Sequence, residues 1–316
     1  MTRMSITGKD GALQPHPSPP MNDTETFWGL LKKFRVPIMM VSPAAIFTVI
    51  MILFPILYSA YLSLVKWTPG SEDAPFVGLA NYIRMFQDPT FWLALGITLK
   101  LFLVCLFFET IIGIYLGILL SREVPGQKIF QALILLPSII ASVAIGMMWI
   151  LIYDPTLGVA NYFLKSFGLK QLVWLADPDM VLAAIAIIDI WEWSPFMALI
   201  ITGGMRALPT DPFEAAVIDG ASRWQIFKYV TLPLLRPVIM VAILLRSVDL
   251  IRFFDTIYIM TKGGPNDAST TLNVYSYLQG FSYMDMSYGS AIMLFLLALV
   301  MLFSLIISAL RRKAVS

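Results

Sequence analysis

The chain has 316 residues, 58% of them hydrophobic and 13% charged, with a net charge of +2. A soluble domain holds roughly 45–50% apolar and about 25% charged residues, so the apolar excess here calls for a bilayer rather than water as solvent. The small net charge gives no ground for a nucleic-acid partner, and a single Cys105 with a single His16 excludes an intramolecular disulfide and any Cys/His metal spacing.

Residues 1–28 are rich in Pro, Ser and Asp without an apolar period, and read as a flexible tail with no signal-peptide core. Six apolar segments follow, each reaching the roughly 20 residues that a helix needs to cross the hydrocarbon core. They are 36–65, 91–121, 129–153, 180–205, 238–260 and 288–310. None alternates with the period of two that a membrane barrel strand requires. The expected fold class is therefore all-α, a polytopic membrane protein with six transmembrane helices over 29–316.

Lys and Arg in the connections set the expected orientation. Lys32, Lys33, Arg35, Arg122, Lys128, Arg206, Arg223, Lys228, Arg236, Arg311, Arg312 and Lys313 fall on one side, and Lys66, Arg84, Lys165, Lys170 and Lys262 on the other. The richer side faces the cytoplasm, with both termini there.

The second segment carries Lys100 and Glu109, too far apart to pair on one helix, and Glu109 has no evident role. In the fourth, Pro195 is expected to interrupt the backbone ladder beside Asp189, Trp191, Glu192, Trp193 and Ser194. Trp191, Glu192 and Ser194 are candidates for a saccharide path, because indole faces stack on sugar rings and carboxylates accept hydroxyls. An interfacial Trp beside a packing kink explains them equally well. In the fifth, Arg246, Asp249, Arg252 and Asp255 stand three apart, and on a helix they form a ladder of opposite charges. That ladder is either structural or, through Arg246, Asp249 and Arg252, part of the substrate path.

Between the fourth and fifth segments, 206–233 reads as a structured loop. Asp211 before Pro212, with Glu214 three residues on, has the pattern of a capping box, and Gly220 ends that helix. Ser222 with Gln225 starts a second helix. Phe213, Ala216, Val217 and Gly220 share one helical face, which suits either a partner's groove or the headgroup layer.

Glu214-Ala215-Ala216, then three residues to Gly220, then nine to Val230-Thr231-Leu232-Pro233, resembles the EAA signature of binding-protein-dependent ABC importer permeases, with Val230 where the pattern has Ile. The stretch from Arg246 through Gly263-Gly264-Pro265 is similar to the first permease of maltose, trehalose and glycerol-3-phosphate importers. This resemblance implies a type I importer permease fold and a transport subunit for a sugar or sugar derivative in the bacterial inner membrane. It implies that Phe213, Glu214, Ala215, Ala216, Asp219 and Gly220 dock on an ATPase subunit. It also implies a sister permease as heterodimer partner, a pair of ATPase subunits that bind ATP and Mg, an external solute-binding protein and contact with membrane lipid. The chain holds no GxxxxGK[ST] phosphate loop, so no cofactor is expected in it. A secondary transporter driven by an ion gradient is the alternative, and it leaves the loop signature unexplained.

Overall fold

The computed structural model describes residues 35–122 and 125–315. The tail at 1–28 with His16, and Lys32 and Lys33 after it, lie outside the described residues. Among the described residues the regular elements are helices, joined by turns and irregular loops, with one isolated antiparallel bridge between Val65 and Phe76.

The chain divides into a unit ending at Ile56 and a second from Leu57 onward. Helix α1, Arg35–Ser63, begins in the first unit and carries Pro43 and Pro55 within it. In the second unit, α2 (Ala80–Gln87) leads into α3 (Pro89–Leu120). Asp88 caps α3 by accepting from the Thr90 amide at 2.9 Å, and Pro89 occupies the first turn, where its missing N–H costs nothing. Burial alone would raise the Asp88 carboxyl, but hydrogen bonds from Tyr275, Tyr288 and the backbone amides of Thr90 and Phe91 together outweigh it and hold the group below the usual carboxylate range.

Among the described residues four helices are long and apolar enough to cross a membrane: α1, α3, α7 (Val181–Arg206) and α13 (Met286–Val315). The other two expected spans are not single helices. The third is split into α4 (Gln127–Leu135), a tight turn at Pro137–Ile139 and α5 (Ser142–Ile152). Pro137 removes a ladder donor and disfavours helix before it, and the chain runs extended at Ile140 and Ala141. The fifth is split into α10 (Leu232–Ile251) and α11 (Asp255–Thr261), separated by Arg252–Phe254. There the Asn273 amide donates to the Arg252 carbonyl at 2.7 Å and the Thr271 hydroxyl to that of Phe253 at 3.4 Å. The segment leading into α12 (Leu272–Tyr277) thus supplies the hydrogen bonds that the helix gives up.

The two interrupted spans pack together. A Cβ on Gly146 of α5 would stand 3.3 Å from Ile259 of α11, and Ile145 shares a buried cluster with Met260. Helix α6 (Val159–Ser166) follows α5. The centre is the pair α3 and α7. A Cβ on Gly113 would meet the Met197 Cβ at 2.5 Å, and one on Gly117 the Ile201 Cβ at 2.7 Å, so the two backbones approach as closely as glycine allows. Thr202 adds a hydrogen bond to the Gly117 carbonyl at 3.2 Å. Around this pair Phe91, Leu101, Cys105, Ile185, Leu250 and Tyr288 are fully buried.

Helix α7 runs on from Val181 to Arg206 with Pro195 inside it, so the chain does not break there, although Pro195 has no N–H to give the Trp191 carbonyl. Instead the Ser138 hydroxyl, from the interrupted third span, donates to the Glu192 carbonyl at 2.6 Å.

Candidate functional site

Three charges meet in the middle of the second unit. Arg246 on α10 donates Nε to Glu109 Oε2 at 2.7 Å and Nη2 to Glu109 Oε1 at 3.0 Å. The same Nη2 lies 2.6 Å from both oxygens of Asp189. Glu109 sits on α3 and Asp189 on α7, so one guanidinium ties three helices. All three groups are buried. The Cys105 sulfur and the two carboxylates lie within 4.8 Å of one another, and the cation among them is Arg246 itself. Its guanidinium carbon also stands 4.7 Å from the Trp193 ring centroid.

The expected ladder along the fifth span does not form. Only the Arg252–Asp249 pair closes, at 2.7 Å. Arg246 turns away to Glu109 and Asp189, and the helix ends at Ile251, which places Asp255 at the start of α11. A buried guanidinium gains more from two buried carboxylates than from one that water already solvates.

Arg246, Asp249 and Arg252 line one cavity of about 490 Å³, together with Ser142, Trp193, Phe253, Phe254, Asp255 and Asn273. Trp193 is the indole at this wall. Trp191 and Ser194 line a different, apolar cavity of about 480 Å³ with Ile112, Leu116 and Pro137. Glu192 lines neither cavity and is buried: its Oε1 accepts from the Ser142 hydroxyl at 2.9 Å, while Oε2 and the Ser194 hydroxyl have no hydrogen-bond partner. Sequence reading left Glu109 without a role, and it named Trp193 only as a neighbour. Each was visible as a costly or bulky group, but its partner lies far away in the chain.

The loop after α7 forms a second feature. Helix α8 is Asp211–Ile218, and Thr210, not Asp211, occupies its cap position. Thr210 is already in the helical region and its carbonyl takes the first bonds, from Phe213 at 2.9 Å and Glu214 at 3.1 Å. The expected Asp211 box is therefore absent, and Asp211 and Glu214 serve as first-turn charges that favour the positive helix end. Gly220 has φ of 74° and closes the helix in a Schellman turn, with Ala221 donating to the Ala216 carbonyl at 2.9 Å and Gly220 to that of Val217 at 3.1 Å. The expected Ser222–Gln225 box opens α9 (Arg223–Ile226).

The face predicted for α8 is split. Phe213 turns inward to a cavity with Ile118, Met205 and Phe227, and Ala216 is half-buried. Glu214, Ala215, Val217, Ile218, Asp219 and Gly220 are exposed, with Ile218 at 85%.

Residues 109–314 match the model of the binding-protein-dependent transport system inner membrane component family. The chain belongs to that family. It is an integral membrane transport component. It is 34% identical over 268 residues to the trehalose/maltose transport system permease protein MalF of Thermococcus litoralis, covering 85% of this chain and 90% of that one. It is 33% identical over 279 residues to the sulfoquinovosyl glycerol transport system permease protein SmoG of Agrobacterium fabrum, covering 87% and 90%. Its fold matches a chain of a bacterial alginate ABC transporter, solved in complex with an alginate pentasaccharide-bound periplasmic protein, with a TM-score of 0.80 at 22% identity over 92% of this chain and 98% of that one. This is the type I importer permease fold.

Proposed function

We propose that the permease forms one half of the translocation path of an ABC importer for a sugar or sugar derivative. The observation that carries this reading is the 34% identity to a trehalose/maltose permease over 268 residues. The other half comes from a sister permease. ATP and Mg bind to a pair of partner ATPase subunits, an external solute-binding protein delivers substrate, and both termini face the cytoplasm.

In this reading the exposed edge of α8, with Glu214, Ala215, Asp219 and Gly220, docks on the ATPase. Closure of the ATPase pair pushes α8 and the Schellman turn, and the push reaches α10 through α9. The helices then rock between inward and outward access. The cavity at Arg246, Asp249 and Arg252 lies on α10 just before its break, where such motion would change its shape.

The test is the purified complex of both permeases and the ATPase in nanodiscs, supplied with the binding protein. ATP hydrolysis is expected to rise several-fold with the cognate saccharide, and to lose that rise without this chain. Saccharide uptake driven by an ion gradient with the ATPase removed would overturn the reading.

A further inference from the structure

We infer that the cavity in this half of the path takes an uncharged saccharide of one or two rings, or a polyol, and excludes anionic sugars; the inference rests on the importer reading above. Two cations line the cavity, and the charge of each already faces a carboxylate. Arg246 spends Nε and Nη2 on Glu109 and Asp189, with Trp193 over its face. Arg252 gives Nη2 to Asp249 at 2.7 Å and Nε to the Val248 carbonyl at 3.1 Å.

Against these two guanidiniums stand four carboxylates: Glu109 and Asp189 behind Arg246, and Asp249 and Asp255 at the wall. Asp255 is exposed and has no ion pair among the described residues. A phosphate, sulfonate or uronate entering here would displace an existing carboxylate or face Asp255 directly, which is how a site rejects a wrong partner.

The remaining wall suits neutral sugars. Asp249 and Asp255 accept hydroxyl protons, Ser142 does the same, and Trp193, Phe253 and Phe254 offer flat apolar faces. Asn273 gives one amide N–H to the Arg252 carbonyl and keeps its second N–H and its Oδ1 for sugar hydroxyls. The volume of about 490 Å³ lies within the range of small-molecule sites.

The test uses the complete membrane complex in nucleotide-free nanodiscs without the binding protein, so that the permeases alone choose. Radiolabelled trehalose is bound and competed with maltose, sorbitol, glucosamine, glucuronate and glucose 6-phosphate. The neutral competitors are expected to be about tenfold or more stronger than the two anions. Asp249→Asn with Asp255→Asn is expected to narrow that gap about fivefold, a ratio that is insensitive to the amount of folded complex. Glucuronate or glucose 6-phosphate matching maltose, glucosamine competing as weakly as the two anions, or an unchanged ratio in the double variant would overturn the inference. An anionic sugar that stimulates ATP hydrolysis in the full assembly overturns this inference alone. If no saccharide of any charge binds or stimulates, the importer reading fails with it.

Discussion

Arg246 holds two carboxylates from two other helices, so removing it and removing the whole cluster have different consequences. Arg246→Met leaves Glu109 and Asp189 buried and facing each other without a cation, at a cost of about 3–5 kcal/mol. The expected result is a marked fall in the melting temperature of the detergent-solubilised chain. Adding Glu109→Gln and Asp189→Asn is expected to recover most of it, because no uncompensated charge then remains. Three charges inside apolar segments were legible in the sequence as an expense needing a reason. Their pairing was not, because Glu109 lies 137 residues and Asp189 57 residues from Arg246 along the chain. Local spacing nominated Asp249 instead. Helix periodicity reports neighbours on one element only, and a membrane bundle spends its charges between elements.

At the scale of elements, the glycines of α3 are the clearest case. Gly117→Leu would force side-chain atoms into a gap where even a Cβ would lie 3.0 Å from the Ala198 carbonyl oxygen and 2.7 Å from Ile201. The expected loss is about 1–3 kcal/mol, read as a lower melting temperature, whereas Gly96→Ala on the same helix, with nothing within 4 Å, is expected to change little. The loop helix behaves differently. Ala215→Trp alters an exposed position and is expected to leave insertion and melting intact while abolishing saccharide-stimulated ATP hydrolysis. Normal stimulation in that variant would remove α8 from the docking surface. The Ser222 cap and the Gly220 stop could be read directly, since both depend on residues a few positions apart. The break at Arg252–Phe254 could not, because it contains neither Gly nor Pro and is held by side chains of Thr271 and Asn273. Pro195 costs α7 one ladder bond without ending it, because the buried residues packed around it hold the helix on to Arg206.

For the whole molecule, the distribution of Lys and Arg predicts which loops face the cytoplasm. Cys105 is fully buried, so the unmodified chain is expected not to react with a membrane-impermeant maleimide. Ser71→Cys is expected to label in intact spheroplasts and Ser222→Cys only after permeabilisation. The reverse pattern would invert the topology. Six apolar segments were legible from length and charge alone. That two of them are interrupted, and that the interrupted pair packs together beside the charged cavity, emerges only in three dimensions.

The turn between α9 and α10 has a further consequence. Residues Phe227–Thr231 form a π-helix, so one extra residue is wound into the connection between the α8–α9 elbow and the long helix bearing Arg246. An α-helix advances about 100° per residue. That single inserted position therefore sets the angular phase between the handle and the shaft. Deleting one residue there would keep every side chain of both parts while turning one part about a quarter of a revolution against the other.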